Sequence, residues 1–224
     1  MVKQVDLEIL TKLQERLASK LELKKDFRQV NLIGGADFGY DKEMKRVGAG
    51  IVILRFPGFE IVEISQAIRK VKFPYIPTFL SFREGPVFFD AFHKIKKKPD
   101  VTFIDGNGIA HPRKMGLASY VGVILDIATI GCAKNPMYPF LVPPEHRGAY
   151  TSLMNDRREK VGICLRTRTG VKPIFVSPGH RVDIRSSMQL VLRCSKFRIP
   201  EPLRTAHRLS REIFQKTQRA HFII

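Results

Sequence analysis

Val101-Thr-Phe-Ile-Asp105-Gly-Asn-Gly108-Ile-Ala-His111-Pro-Arg-Lys114 decides how the chain is read. Four apolar or β-branched residues predict a short buried strand. An acid follows at once, and two glycines in three residues then break the regular structure. A carboxylate at the carboxyl end of a core strand, beside a flexible turn, is a frequent place for chemistry in α/β sheets. Asp also starts turns for conformational reasons alone. At this point a chemical and a turn-forming Asp105 both stand open.

Outward from that strand the chain alternates between strand and helix patterns. Upstream, Leu10, Leu13, Leu17 and Leu21 share one helical stripe, which predicts an amphipathic helix from Leu7 to Glu22 with a packing role. Val30 to Asp37 reads as a strand that also ends in an acid. Val47 to Phe56 and Phe59 to Ile68 follow as strands, with Pro57-Gly58 as a turn signal, so the three form an antiparallel meander. Phe73-Pro74-Tyr75-Ile76-Pro77 holds an aromatic between two prolines and reads as a stiff extended loop. Thr78 is a candidate cap for a turn through Glu84, which Gly85-Pro86 interrupts. Pro86 suits the first position of a helix whose apolar face is Val87, Phe88, Ala91, Phe92 and Ile95.

Downstream, a helix is expected from Leu117 to Ile127 and a strand from Thr129 to Ala133, just before Lys134. A proline-rich connection spans Pro136 to Pro144. Val161 to Arg166 and Lys172 to Val176 read as a hairpin with Thr169-Gly170 at its turn, and Ser177 to His180 as a loop. Asp183 suits the cap of a helix through Leu192. A last helix starts at Pro200-Glu-Pro202. Leu203, Ala206, Leu209 and Ile213 would be its buried face, and Arg204, Arg208, Arg211, Gln215 and Arg219 a polar stripe. Together these elements predict one α/β domain spanning residues 1–224, with a mixed sheet.

The 224 residues carry a formal net charge of +18, which favours a polyanionic partner, most simply nucleic acid. No stretch is long and apolar enough to cross a membrane, and no signal-peptide core stands at the start. Cys132, Cys164 and Cys194 are odd in number and far apart, without zinc spacing, which fits a reducing compartment and a cytoplasmic protein.

If the strand from Val101 lies parallel to and beside the first one, Asp37 and Asp105 emerge together at one sheet edge. Two anions that close need a proton or a cation between them, and a hard divalent ion such as Mg²⁺ is the simplest answer. Glu84 supplies a third acid from the segment that can lie over this edge. Such a trio suits metal-assisted phosphoryl transfer.

The chain resembles endonuclease V, the deoxyinosine 3′-endonuclease. Phe73 to Pro77, Phe82-Arg-Glu-Gly-Pro86 and Asp105 to Ser119 carry the likeness, extended by Thr129 to Lys134, Pro173 to His180 and Arg198 to His207. The resemblance implies a ribonuclease H-like fold, a mixed sheet flanked by helices, in which the strands of Asp37 and Asp105 are neighbours. It implies a metal site at Asp37 and Asp105, taking Mg²⁺ or Mn²⁺, with Glu84 as the third catalytic acid and Lys134 and His207 as further catalytic residues. The substrate it implies is deaminated, inosine-containing DNA, cut at the second phosphodiester bond 3′ of the lesion to leave 3′-hydroxyl and 5′-phosphate ends. Its wedge maps onto Pro74, Tyr75, Ile76 and Pro77, where Tyr75 would enter the stack that the flipped base leaves. Gly106 and Gly108 would let backbone amides approach that base, and His111 would orient neighbours or contact DNA. The enzyme is expected to be a monomer. Inosine-containing RNA is the alternative substrate, and a noncatalytic nucleic-acid binder the alternative class; the presence of all three acids argues against the latter. Two departures bear on substrate contacts. Phe38-Gly39-Tyr40 follows the first acid where a small or hydroxylated residue is usual, and Tyr120 stands where histidine is common.

Overall fold

The computed structural model describes residues 6–25 and 29–220, with side chains described to residue 215. Helix α1 (Leu7–Ala18) precedes an antiparallel run of β1 (Leu32–Tyr40), β2 (Arg46–Arg55) and β3 (Ile61–Lys70). Then come α2 (Leu80–Phe92), β4 (Val101–Asp105), α3 (Leu117–Leu125) and β5 (Thr129–Ala133). The chain closes with β6 (Tyr150–Met154), β7 (Lys160–Leu165), β8 (Ile174–His180), α4 (Ile184–Arg193) and α5 (Glu201–Ala220). All eight strands belong to one mixed sheet in the order β3-β2-β1-β4-β5-β8-β7-β6. β4 pairs parallel with both β1 and β5, and the other pairings are antiparallel. Among the described residues no helix is long and apolar enough to cross a membrane.

Helices cover both faces of this sheet, which is why its central strands are apolar on both sides. Ala36, Ile51 and Ile104 pack under α2 and α3 with Val87, Phe88 and Val121. Ile33, Val101 and Phe103 pack on the other face with Leu190 and Leu203 of α4 and α5. Alternation along each strand therefore sends Asp37 and Asp105 to the α5 side, in step with Ile33, Val101 and Phe103.

Five expectations need correction. α1 stops at Ala18, short of Glu22. β1 does not end at Asp37: β2 goes on pairing through Phe38, Gly39 and Tyr40 after β4 has ended, so the acid lies within the strand. Gly85-Pro86 does not interrupt a helix; α2 runs through both. Pro86 forfeits one backbone bond there. Phe82 nevertheless stacks on Phe79 and meets the Tyr120 ring of α3 edge-on, and Val87, Phe88, Ala91 and Phe92 bury the second half of α2 against Ile51, Ile104 and Val121. Gly85 is there for proximity, since a Cβ would come 2.6 Å from the Tyr120 ring. Ser177 to His180 are strand, not loop. Pro178 is accommodated because the β5–β8 register shifts beside it, between Thr129 and Ile130, the kind of irregularity where a sheet tolerates proline. Lastly, β6 pairs with β7 where no strand was expected. The Asp183 cap on α4 is as expected, accepting from the Ser186 N–H.

Candidate active site

Parallel pairing sets the site. Ala36 is the register partner of Ile104, so Asp37 and Asp105 are the next residues on adjacent strands, at the carboxyl edge of β4. Asp37 is only 3% exposed. Its Oδ2 accepts from Ser210 Oγ at 2.5 Å and lies 3.1 Å from His207 Nδ1, both on α5. Glycines make that approach possible. A Cβ on Gly35 would lie 2.2 Å from the Pro202 carbonyl oxygen, and one on Gly39 2.6 Å from that of Ser210. β1 is thus flat on the side where α5 lies. Asp105 Oδ2 accepts from Lys134 Nζ at 2.5 Å, across the β4–β5 pairing.

Glu84 reaches the same edge from α2 and is buried. Tyr40 donates its hydroxyl to Glu84 Oε1 at 2.9 Å, and Arg83 Nε donates to the Tyr40 oxygen at 3.1 Å. Burial pushes the Glu84 carboxyl up to about 7, with the Tyr40 bond opposing and the charges of Asp105 and Asp37 adding to the rise. Burial also raises Asp105, as does its contact with Asp37, while Lys134 pulls the other way. Glu84 and Asp105 therefore hold protons above the ordinary carboxylate range, and a cation is the alternative partner. Among the described residues no three His, Cys, Asp or Glu side chains gather into a ready-made metal cage. What is present is a carboxylate pair, Asp37 buried and Asp105 half-buried, with Glu84 within electrostatic reach: an all-oxygen donor set of the kind a hard divalent ion takes.

Next to this edge a cavity of about 120 Å³ opens between Tyr75–Thr78, Leu80–Ser81, Gly106–Asn107 and Met115–Leu117. Tyr75 is 69% exposed at its mouth. Ser81 Oγ and Asn107 Oδ1 are buried with no hydrogen-bond partner. α2 opens beside the cavity, which Leu80 and Ser81 line, and its first turn has no side-chain cap. Gly106 lines it with φ +147°. Gly108 does not: its N–H donates to Ser177 Oγ at 2.8 Å, and a Cβ there would meet the Pro178 carbonyl oxygen at 2.0 Å. Its smallness serves the packing of this loop on β8.

His111 is buried, and burial pushes its imidazole down to about 4. Nδ1 accepts from the Arg113 N–H at 3.2 Å, so the proton sits on Nε2, 2.9 Å from the Thr78 carbonyl. The ring in this arrangement is neutral and lines the cavity. A larger groove, about 620 Å³, lies between Val30–Asn31, Phe56 and α4 but contains no carboxylate or histidine.

Sequence reasoning passed over Ser210, Ser81, Asn107 and the Tyr40–Glu84 bond. Ser210 follows His207 by one helical turn and so shares its face, a signal the polar stripe already contained. On that stripe Arg204, Arg208 and Arg211 border a shallow groove with His207; the Arg219 side chain lies outside the described residues. Tyr40 stood out only as a departure from the family pattern.

Fold and site together define a nuclease of the ribonuclease H-like class, with paired carboxylates on adjacent parallel strands. The family model for endonuclease V matches residues 15–208. Endonuclease V of Dictyoglomus turgidum is 47% identical over 203 residues, covering 90% of this chain and 88% of the relative. Among solved structures, endonuclease V of Streptomyces avermitilis superposes with a TM-score of 0.90 at 36% identity, covering 96% of each chain. That of Ciona intestinalis, in complex with a 24mer DNA containing an inosine followed by a ribo-adenosine, superposes with a TM-score of 0.83 at 29% identity, covering 95% of this chain and 100% of the other. The chain belongs to the endonuclease V family.

Proposed function

We propose that the chain is an endonuclease that recognises inosine in DNA and hydrolyses the second phosphodiester bond on its 3′ side. The observation that carries the reading is the adjacency of the cavity behind Tyr75 to the Asp37–Asp105 edge through the single segment Asp105–Asn107. Tyr75 would fill the gap in the stack as the base leaves it. In the cavity, the uncapped first amides of α2 are donors for the hypoxanthine carbonyl, where adenine would bring a competing amino group. Ser81 and Asn107 offer two more polar atoms that lack partners until a base arrives.

Asp37 and Asp105 would hold a divalent cation, Mg²⁺ or Mn²⁺, which when bound offsets their charge and that of the phosphate. The chain's own groups do the rest. Glu84, with its proton affinity near neutrality, takes a proton as a water oxygen attacks phosphorus. The bond from phosphorus to the 3′-oxygen breaks, leaving a 3′-hydroxyl and a 5′-phosphate. Lys134 beside Asp105 presents N–H donors to the phosphate and the departing oxygen, and His207, donating from Nδ1 to Asp37, holds that carboxylate in place. The Arg204, Arg208 and Arg211 stripe continues outward along α5 as a track for the nucleic-acid backbone.

The test uses labelled DNA and RNA oligonucleotides carrying one inosine, incubated with Mg²⁺ or with chelator. Cleavage of the DNA with Mg²⁺ alone, one nucleotide beyond the inosine, is the expected result. Cleavage of RNA only moves the substrate class, and cleavage of neither removes the reading.

A further inference from the structure

Gln14 is the buried residue of an otherwise largely exposed α1, with no exposed surface at all. A buried carboxamide must be matched at both ends, and this one is matched far from its own helix. Gln14 Nε2 donates to the Thr78 carbonyl at 3.0 Å, and Gln14 Oε1 accepts from Arg113 Nε at 2.5 Å. Arg113 Nη2 donates to Thr78 Oγ1 at 2.6 Å and to the Thr78 carbonyl at 3.2 Å. His111 Nε2 donates to that same carbonyl at 2.9 Å. Three side chains thus converge on one peptide oxygen.

Thr78 is an unusual target. Its φ is +68°, a conformation that a β-branched residue adopts only when held there. It is also the joint of the site: the wedge loop ends at Pro77, and α2 begins at Leu80 and leads to Glu84. Arg113 additionally lies 4.5 Å over the Phe79 ring, the next residue along. At its other end the α1 segment is tied down by Arg181, whose N–H donates to the Glu22 carbonyl at 2.7 Å, and by His180, whose Nδ1 accepts from the Glu22 N–H at 3.2 Å. The segment is a strut from β8 to Thr78.

We propose that Gln14 is a positioning residue that holds the wedge and the base cavity in register through Thr78. Gln14 lies one residue ahead of the stretch matched by the family model. The proposal rests on the reading of Tyr75 as a wedge beside a base cavity. In it α1 gains a task beyond packing: Gln14 completes a clamp whose other jaws, His111 and Arg113, come from the loop after Gly108. Mispositioning by a fraction of an ångström at such a joint costs binding and rate.

The chain contains no tryptophan, so a Tyr75→Trp variant carries one indole, at the wedge, and serves as the background for the fluorescence measurements. Gln14→Leu keeps the volume and removes both bonds; Gln14→Glu keeps the acceptor for Arg113 and removes the donor to Thr78. The emission anisotropy of that single indole is expected to fall in Gln14→Leu and less in Gln14→Glu. The ratio of dissociation constants for adenosine and inosine duplexes is expected to shrink on the order of tenfold in Gln14→Leu. In a Thr78→Gly background, where positive φ is cheap, the same Gln14→Leu change is expected to do less. If Gln14→Leu lowers Tm but leaves both the anisotropy and the ratio unchanged, Gln14 merely packs α1 and the proposal falls. An equal effect with glycine at position 78 also overturns it. If the wild-type chain does not discriminate inosine at all, the functional reading fails, while the anisotropy still decides the clamp.

Discussion

His111 and Asp105 lie six residues apart and carry opposite perturbations, each with a consequence in pH. The folded imidazole of His111 is pushed by burial to about 4 from an ordinary 6.5. The unfolded chain therefore binds the extra proton first, and stability present above 6.5 is lost as pH falls toward 4. The loss is about 3 kcal/mol over that window. Denaturant unfolding between pH 4 and 7 should show a shallower slope in His111→Asn than in the wild type; equal slopes would contradict a buried neutral imidazole. The carboxyls behave in the reverse sense. Glu84 and Asp105 are raised when folded, so without a cation their contribution declines as pH rises through those values. A cation must displace those protons. Mg²⁺ should therefore raise Tm by a few degrees at pH 8 and by less at pH 5, a difference absent in Asp37→Asn. Asp105 could be chosen from sequence because a lone acid closing an apolar run is conspicuous. Ser81 and Asn107 could not, because what distinguishes them is a missing partner, which only packing reveals.

The flat side of β1 decides where α5 sits. Gly35→Ala would place a methyl 2.2 Å from the Pro202 carbonyl oxygen, a backbone atom that cannot swing aside. α5 must shift, drawing His207 and Ser210 from Asp37. The variant is expected to lose about 1–3 kcal/mol of stability and a larger share of its activity than that loss explains. Unfolding midpoints and cleavage rates measured together check this, and an unchanged rate would separate α5 from the site. β4, β5 and the Asp183 cap were legible in the sequence, because their apolar runs and flanking residues are local signals. The continuity of α2 through Gly85-Pro86 was not, because aromatic contacts with Tyr120 outweigh a local breaker. Nor was the passage of β8 through Pro178, which depends on a register shift in its partner β5. The same holds for β1 beyond Asp37, which β2 extends and no periodicity announces.

Charge belongs to the whole molecule. A net +18 over 224 residues, with the acids of the site as local exceptions, makes the surface a polyanion receptor around a small anionic edge. Nucleic-acid binding should therefore weaken steeply between 50 and 200 mM salt, on the order of tenfold or more. Arg208→Ala or Arg211→Ala should lower that salt slope without changing the preference for inosine. Gel-shift titrations at several salt concentrations read both quantities, and a loss of preference would move these residues from the backbone track to base recognition. The sign of the partner's charge was plain from composition, whereas the path of the strand depended on where α5 and the cavity lie around β4. The central claim is that one edge of the sheet cuts what the adjoining cavity recognises. Asp105→Asn tests it most directly, by cleavage and binding measured on the same inosine-containing duplex in the presence of Mg²⁺. Cleavage should fall on the order of a hundredfold or more while inosine-selective binding persists; cleavage at the wild-type rate would contradict the account.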